Sequence, residues 1–139
     1  MNTVLVVDDD KVFSGLLKTV FELEGYQTVT VSRADDVVPT ARQVKPALVL
    51  MDVHVSRGDT LEVLRELRAN KTLKTVPVVM TSGMDRSGEC LDAGADTFIL
   101  KPFRPSELLT VVADLIGRPF GKAQDRYFDK AQYKQDTIT

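Results

Sequence analysis

Val4-Leu5-Val6-Val7, followed at once by Asp8-Asp9-Asp10, is the stretch on which the fold turns. Four consecutive apolar, mostly β-branched residues leave no side chain for solvent. That is the pattern of a strand covered on both faces. The run stops at three carboxylates. Beyond them Val12, Phe13, Leu16, Leu17, Val20 and Phe21 recur at threes and fours, which predicts an amphipathic helix closed by Gly25. A doubly buried strand feeding a helix is the first half of a βαβ unit.

The alternation continues. Residues 28–31 read as a second strand, and roughly 35–44 as a second helix, with Pro39 either near its start or disturbing it. Residues 47–51 form a third continuously apolar run. A loop through Gly58 leads to a helix with Leu61, Leu64 and Leu67 on one face, begun by a capping box between Asp59 and Glu62. Residues 76–81 are a fourth strand, 89–93 a short helix ended by Gly94, and 97–100 a fifth strand. Pro105 suits a first helical position, and Leu108, Leu109, Val112, Leu115 and Ile116 carry the last helix to Gly117. Five strands alternating with five helices predict an α/β fold, a doubly wound parallel sheet with helices on both faces. Residues 1–117 make this domain. Residues 118–139 are a polar tail carrying Phe120, Tyr127, Phe128 and Tyr133, with a docked helix, a partner-binding segment and a loosely ordered end all open.

Composition narrows the function. With 43% apolar and 27% charged residues over 139 positions, the chain can bury a real core. A net charge of −2, with the signs interspersed, gives no bulk attraction for nucleic acid or anionic lipid. No run reaches the ~20 apolar residues of a membrane span, and no signal peptide is expected. Cys90 is the only cysteine and His54 the only histidine. Intramolecular disulfides and two-histidine metal sites are therefore excluded, and a reducing cytoplasm is expected.

In an open parallel sheet, ligands bind beyond the carboxyl ends of the strands. The residues there are Asp8 and Asp9 after the first strand, Asp52 after the third, Ser82 and Gly83 after the fourth, and Lys101-Pro102 after the fifth. Clustered carboxylates raise one another's pKa and call for a cation. Oxygen-only ligation favours Mg²⁺. Asp52 is a candidate nucleophile toward phosphorus, with Lys101 and the Ser82 hydroxyl placed to meet phosphoryl oxygens.

These residues resemble the receiver domain of two-component response regulators. The resemblance rests on Val4–Asp10, on Leu48-Val49-Leu50-Met51-Asp52, on Pro77-Val78-Val79-Met80-Thr81-Ser82-Gly83, on Ala93-Gly94-Ala95-Asp96, and on Lys101-Pro102-Phe103, in that order, and spans about residues 3–117. It implies a flavodoxin-like strand order 2-1-3-4-5 and a switch that takes a phosphoryl group onto Asp52 from a histidine kinase or histidine phosphotransfer protein. By the same resemblance, Asp9, Asp52 and the backbone carbonyl of His54 bind Mg²⁺, with Asp8 acting through water. Lys101 holds a phosphoryl oxygen, and the Lys101-Pro102 bond is cis. Ser82 and Phe98 form the switch that remodels an output face for a downstream partner or effector domain. Such a domain is not an enzyme beyond its own phosphotransfer and dephosphorylation.

The chain departs from the family in two places. Ser56 stands where proline is common and Thr60 where glycine is, leaving the loop path after Asp52 open. Nineteen positions separate Ser82 from Lys101, about one helical turn fewer than usual, so the fourth helix is expected to be short and residues 83–91 loosely held. Three readings follow. The first is a phosphorylated switch. The second is a degenerate receiver that binds partners without phosphorylation. The third is an aspartyl-nucleophile phosphatase; such enzymes usually carry a second acid two residues after the nucleophile and a cap domain, whereas this sequence has His54 at that position and shows no cap. A stand-alone regulator and the N-terminal part of a longer one are equally open.

Overall fold

The computed structural model describes residues 2–56 and 58–117. In chain order the elements are β1 (Thr3–Val7), α1 (Lys11–Leu23), β2 (Gln27–Val31), a 3₁₀ turn (Ala34–Asp36) running into α2 (Val37–Val44), and β3 (Leu48–Asp52). Two short strands follow, β4 (His54–Val55) and β5 (Gly58–Asp59), then α3 (Leu61–Ala69), β6 (Val78–Ser82), α4 (Ser87–Asp92), β7 (Thr97–Leu100) and α5 (Pro105–Ile116). The long strands form one parallel sheet in the order β2-β1-β3-β6-β7. With the antiparallel β4–β5 pair set aside, this is the expected 2-1-3-4-5. The tail 118–139 lies outside the described residues.

Alternate side chains of each central strand enter two separate cores, as the two-residue period of a strand requires. Val4, Val6, Leu48, Leu50 and Val79 pack with Leu17 and Phe21 of α1 and Leu108 and Val112 of α5. Leu5, Val7, Val49, Met51, Val78 and Met80 pack with α2, α3 and Cys90 of α4. Burial on both faces explains why these strands read as continuous apolar runs. It also leaves the sheet's ends as the place where polar chemistry can gather.

Local signals act mostly as expected. Asp10 caps α1 by accepting from Phe13 N–H at 3.0 Å, and Gly25 takes a φ of 93° just after it. Pro39 is the third residue of α2, where a backbone N–H has no intrahelical partner to lose. The Asp59–Glu62 capping box does not form. Thr60 is the N-cap and makes no side-chain cap bond. Asp59 Oδ1 instead accepts from Leu61 N–H at 2.7 Å, and Glu62 pairs with Arg65. Helix α4 has six residues, in keeping with the shortened spacing. Met84 is 66% exposed, yet Cys90 is fully buried, so the segment has one apolar anchor.

Candidate functional site

The topology places the ends of β1 and β3 side by side where strand order reverses, and β6 and β7 follow on the same edge. Such switch points are where open α/β sheets bind ligands. Asp8, just past β1, is 5% exposed, whereas Asp9 is exposed. Asp52 ends β3 and Ser82 ends β6, while Lys101 immediately follows β7.

Lys101 is held from several sides. Its backbone N–H donates to Ser82 O at 2.8 Å, and its peptide bond to Pro102 is cis. Its ammonium stands 4.6 Å from the centre of the Phe13 ring, which itself meets Phe103 edge-on. From there Nζ donates to Asp52 Oδ2 at 2.7 Å and to Asp8 Oδ2 at 3.0 Å. The remaining carboxylate oxygens are also engaged. Asp8 Oδ1 accepts from Asp10 N–H at 2.9 Å, and Asp52 Oδ1 from His54 N–H at 3.2 Å.

One ammonium thus serves two carboxylates. Burial disfavours the Lys101 charge, but the hydrogen bonds it donates to Asp52 and Asp8 outweigh this and hold its pKa above the ordinary lysine value. Asp8 has only a share of that cation. Burial therefore prevails, and its pKa lies above the usual carboxylate range despite the bonds to Asp10 and Lys101. The trio carries excess negative charge, and Asp9 adds more at the rim.

Ser82 is 2% exposed, and its hydroxyl accepts from Met84 N–H at 3.2 Å rather than reaching Asp52. Phe98 is half-buried against the core shared by α2, α3 and α4. The His54 side chain is exposed, with Nε2 at 3.4 Å from Arg86 Nη1. Among the described residues, no three His, Cys, Asp or Glu side chains stand close enough to hold an ion unaided. Asp8 and Asp52, joined through Lys101, are the carboxylates that the structure brings together here.

Three residues escaped the sequence reading. Thr60 is fully buried and donates from Oγ1 to Asp52 O at 2.8 Å, while its N–H donates to Val53 O. This closes the loop that its unusual side chain had left undetermined. Arg86 bonds Asp59 and Glu89; the Arg86–Glu89 spacing of three was a legible helical pair, but Asp59 was not. Phe13 read as a core position of α1 and proves to be a platform for Lys101.

No helix among the described residues is long and apolar enough to cross a membrane. Comparison with known proteins adds the family. The response regulator receiver domain family matches residues 4–113. The DNA-binding response regulator MtrA of Mycobacterium tuberculosis is 34% identical over 112 residues, covering 78% of this chain and 48% of MtrA. The Bacillus subtilis alkaline phosphatase synthesis transcriptional regulatory protein PhoP is 32% identical over 118 residues, covering 83% and 48%. The chain therefore spans about half the length of these relatives. Among solved structures, the receiver domain of the Pseudomonas aeruginosa sensor histidine kinase PA1611, with a magnesium ion in its active-site cleft, superimposes with a TM-score of 0.76 at 26% identity. That match covers 84% of this chain and 98% of the other. The receiver domain of a Francisella response regulator matches at 28% identity with a TM-score of 0.76, covering 84% and 97%. Fold, site geometry and these matches agree that the chain belongs to the response regulator receiver domain family of two-component systems.

Proposed function

We propose that the chain is a phosphorylation-activated switch whose acceptor is Asp52. The observation that carries this reading is Lys101 Nζ set between Asp52 and Asp8 at the carboxyl edge of the sheet. In phosphotransfer, a carboxylate oxygen of Asp52 forms a bond to phosphorus as the phosphorus–nitrogen bond of a donor phosphohistidine breaks. The electron pair stays on the imidazole nitrogen, which takes a proton from solvent. Lys101, already bonded to Asp52, is placed to hold a phosphoryl oxygen as charge spreads over the group. The bond from His54 N–H orients the other Asp52 oxygen. Ser82 swings from Met84 N–H toward the phosphoryl group, and Phe98 moves into the space released. This shifts a pre-existing equilibrium at the face near α4, β7 and α5.

The donor set fits a hard divalent cation, because excess carboxylate charge converges on oxygen ligands alone. Asp9, Asp52 and the carbonyl of His54 would hold Mg²⁺, with Asp8 through water. The bound ion would neutralise developing charge on the phosphoryl oxygens. The donor would be a histidine kinase or histidine phosphotransfer protein, and the output a downstream protein or effector domain in the cytoplasm.

Intact-mass measurement after incubation with Mg²⁺ and acetyl phosphate tests the reading. One phosphoryl group should arrive, chelation should prevent it, Asp52→Asn should abolish it, and Asp9→Ala should demand more Mg²⁺. Absence of label on the wild-type chain would instead favour the phosphorylation-independent interaction module.

A further inference from the structure

Resting on that reading of the Asp52 centre, we infer that Arg86 is a positioning residue that clamps the β4–β5 hairpin and so fixes the backbone of His54 against Asp52.

The hairpin needs such a restraint. Among the described residues it contains two pairs, His54 with Asp59 and Val55 with Gly58. Of these four residues only Val55 is buried. An isolated two-stranded ribbon is marginal in water. Its end nearest the sheet is tied by the buried Thr60, through bonds to Asp52 O and Val53 O. Asp59 Oδ1 also accepts from Leu61 N–H, and Ser56 Oγ donates to Ser32 O, but Arg86 is the group from the α4 side that reaches His54 and Asp59 together.

Arg86 touches both partners of one cross-strand pair. Nη2 donates to Asp59 Oδ2 at 3.0 Å, and Nη1 lies 3.4 Å from His54 Nε2. The guanidinium is itself fixed by a fork to Glu89, with Nε to Oε1 at 3.0 Å and Nη2 to Oε2 at 2.8 Å. Its side chain is only 15% exposed, less than that of either carboxylate partner. A planar two-point grip of this kind sets direction as well as charge. Glu89 belongs to α4, which the buried Cys90 seats on the core. The hairpin is thereby registered to the body of the domain.

The consequence falls on the site because His54 is two residues beyond Asp52. Its N–H donates to Asp52 Oδ1, and its carbonyl is the expected backbone ligand for Mg²⁺. A looser hairpin leaves Asp52, Lys101 and Asp8 in place but lets those two backbone groups wander. Loss of the clamp should therefore weaken metal binding more than it weakens the fold. Outer residues that orient a ligand commonly change metal affinity by ten- to a hundredfold.

The test is an NMR titration with Mg²⁺, following the amides of Asp52 and His54, alongside acetyl phosphate labelling across Mg²⁺ concentrations. Arg86→Gln should raise the half-saturating Mg²⁺ concentration on the order of tenfold. Labelling should approach the wild-type rate once Mg²⁺ is saturating. Arg86→Lys should fall between the two, keeping the charge without the fork. Asp59→Asn should mimic Arg86→Gln, and the double variant should add nothing further, as for groups acting through one contact. Arg65→Gln, which breaks the Arg65–Glu62 pair on α3, is the control for a surface ion pair and should change nothing. Arg86→Gln within twofold of wild type in Mg²⁺ half-saturation, or no different from Arg65→Gln, overturns the inference. If the wild type takes no label yet its His54 amide responds to Mg²⁺ and Arg86→Gln weakens that response, the phosphotransfer reading falls and the clamp stands.

Discussion

Replacing Lys101 by Met removes the one cation shared by Asp8 and Asp52 and leaves two carboxylates facing each other. Side-chain exposures of 24% for Lys101, 4% for Asp8 and 13% for Asp52 make this a largely buried trio. Breaking a buried pair by removing one partner costs about 3–5 kcal/mol. The orphaned carboxylate has an escape, since it can take a proton. From an ordinary carboxylate pKa near 3.9, protonation at pH 7 costs about 4 kcal/mol, which caps the loss. A value of about 3 kcal/mol at pH 7 without Mg²⁺ follows, or a fall in Tm of roughly 12 °C for a body of this size. The loss should shrink as pH falls. In the variant, Asp8 has a folded pKa raised further above its unfolded value. Its contribution is thus fully present below the unfolded pKa and is lost as pH rises through the folded one. The wild-type ammonium, with its pKa raised, stays charged throughout this range. Urea unfolding of both proteins at pH 7 and pH 5 in EDTA measures the difference. Equal stability of Lys101→Met and wild type at pH 7, or a gap that widens on acidification, would refute the reasoning.

Other substitutions probe the same framework. Asp8→Asn should stabilise the metal-free protein at neutral pH, because the folded-state pKa of Asp8 is raised and its ionised form is the disfavoured one there; an unfolding midpoint below wild type would contradict this. Arg68 donates to Gly94 O, Lys74 O, Val76 O and Asp96 Oδ2, at distances from 2.7 to 3.2 Å, and so ties α3 to the turns before β6 and β7. Arg68→Ala should cost about 3 kcal/mol in urea unfolding. Thr60→Val keeps the buried shape but orphans Asp52 O, and should cost about 1–2 kcal/mol by the same measurement.

The fold and the centre of the site were legible for one physical reason. A strand buried on both faces carries few polar side chains and no unpaired charge, so in a parallel sheet the polar residues at the end of each apolar run mark the same edge. Asp8, Asp52, Ser82 and Lys101 could therefore be gathered from four distant stretches by strand ends alone. The spacing between Ser82 and Lys101 likewise announced a short α4, because both ends of that interval are anchored. What the sequence could not carry was the direction of individual side chains. Asp59 stood three residues before Glu62 and looked like a helix cap, but its carboxylate is shared between Leu61 N–H and Arg86, a residue 27 positions away. Thr60 looked like a disturbance in a loop, and it is the buried hydroxyl that closes that loop onto Asp52. Lys101 could be assigned to an edge, but not to a point between two carboxylates over the Phe13 ring. Periodicity records which face of an element meets the core. Partners joined across the sheet's edge leave no period in the chain, and only the packing of α3, α4 and the hairpin against one another decides them.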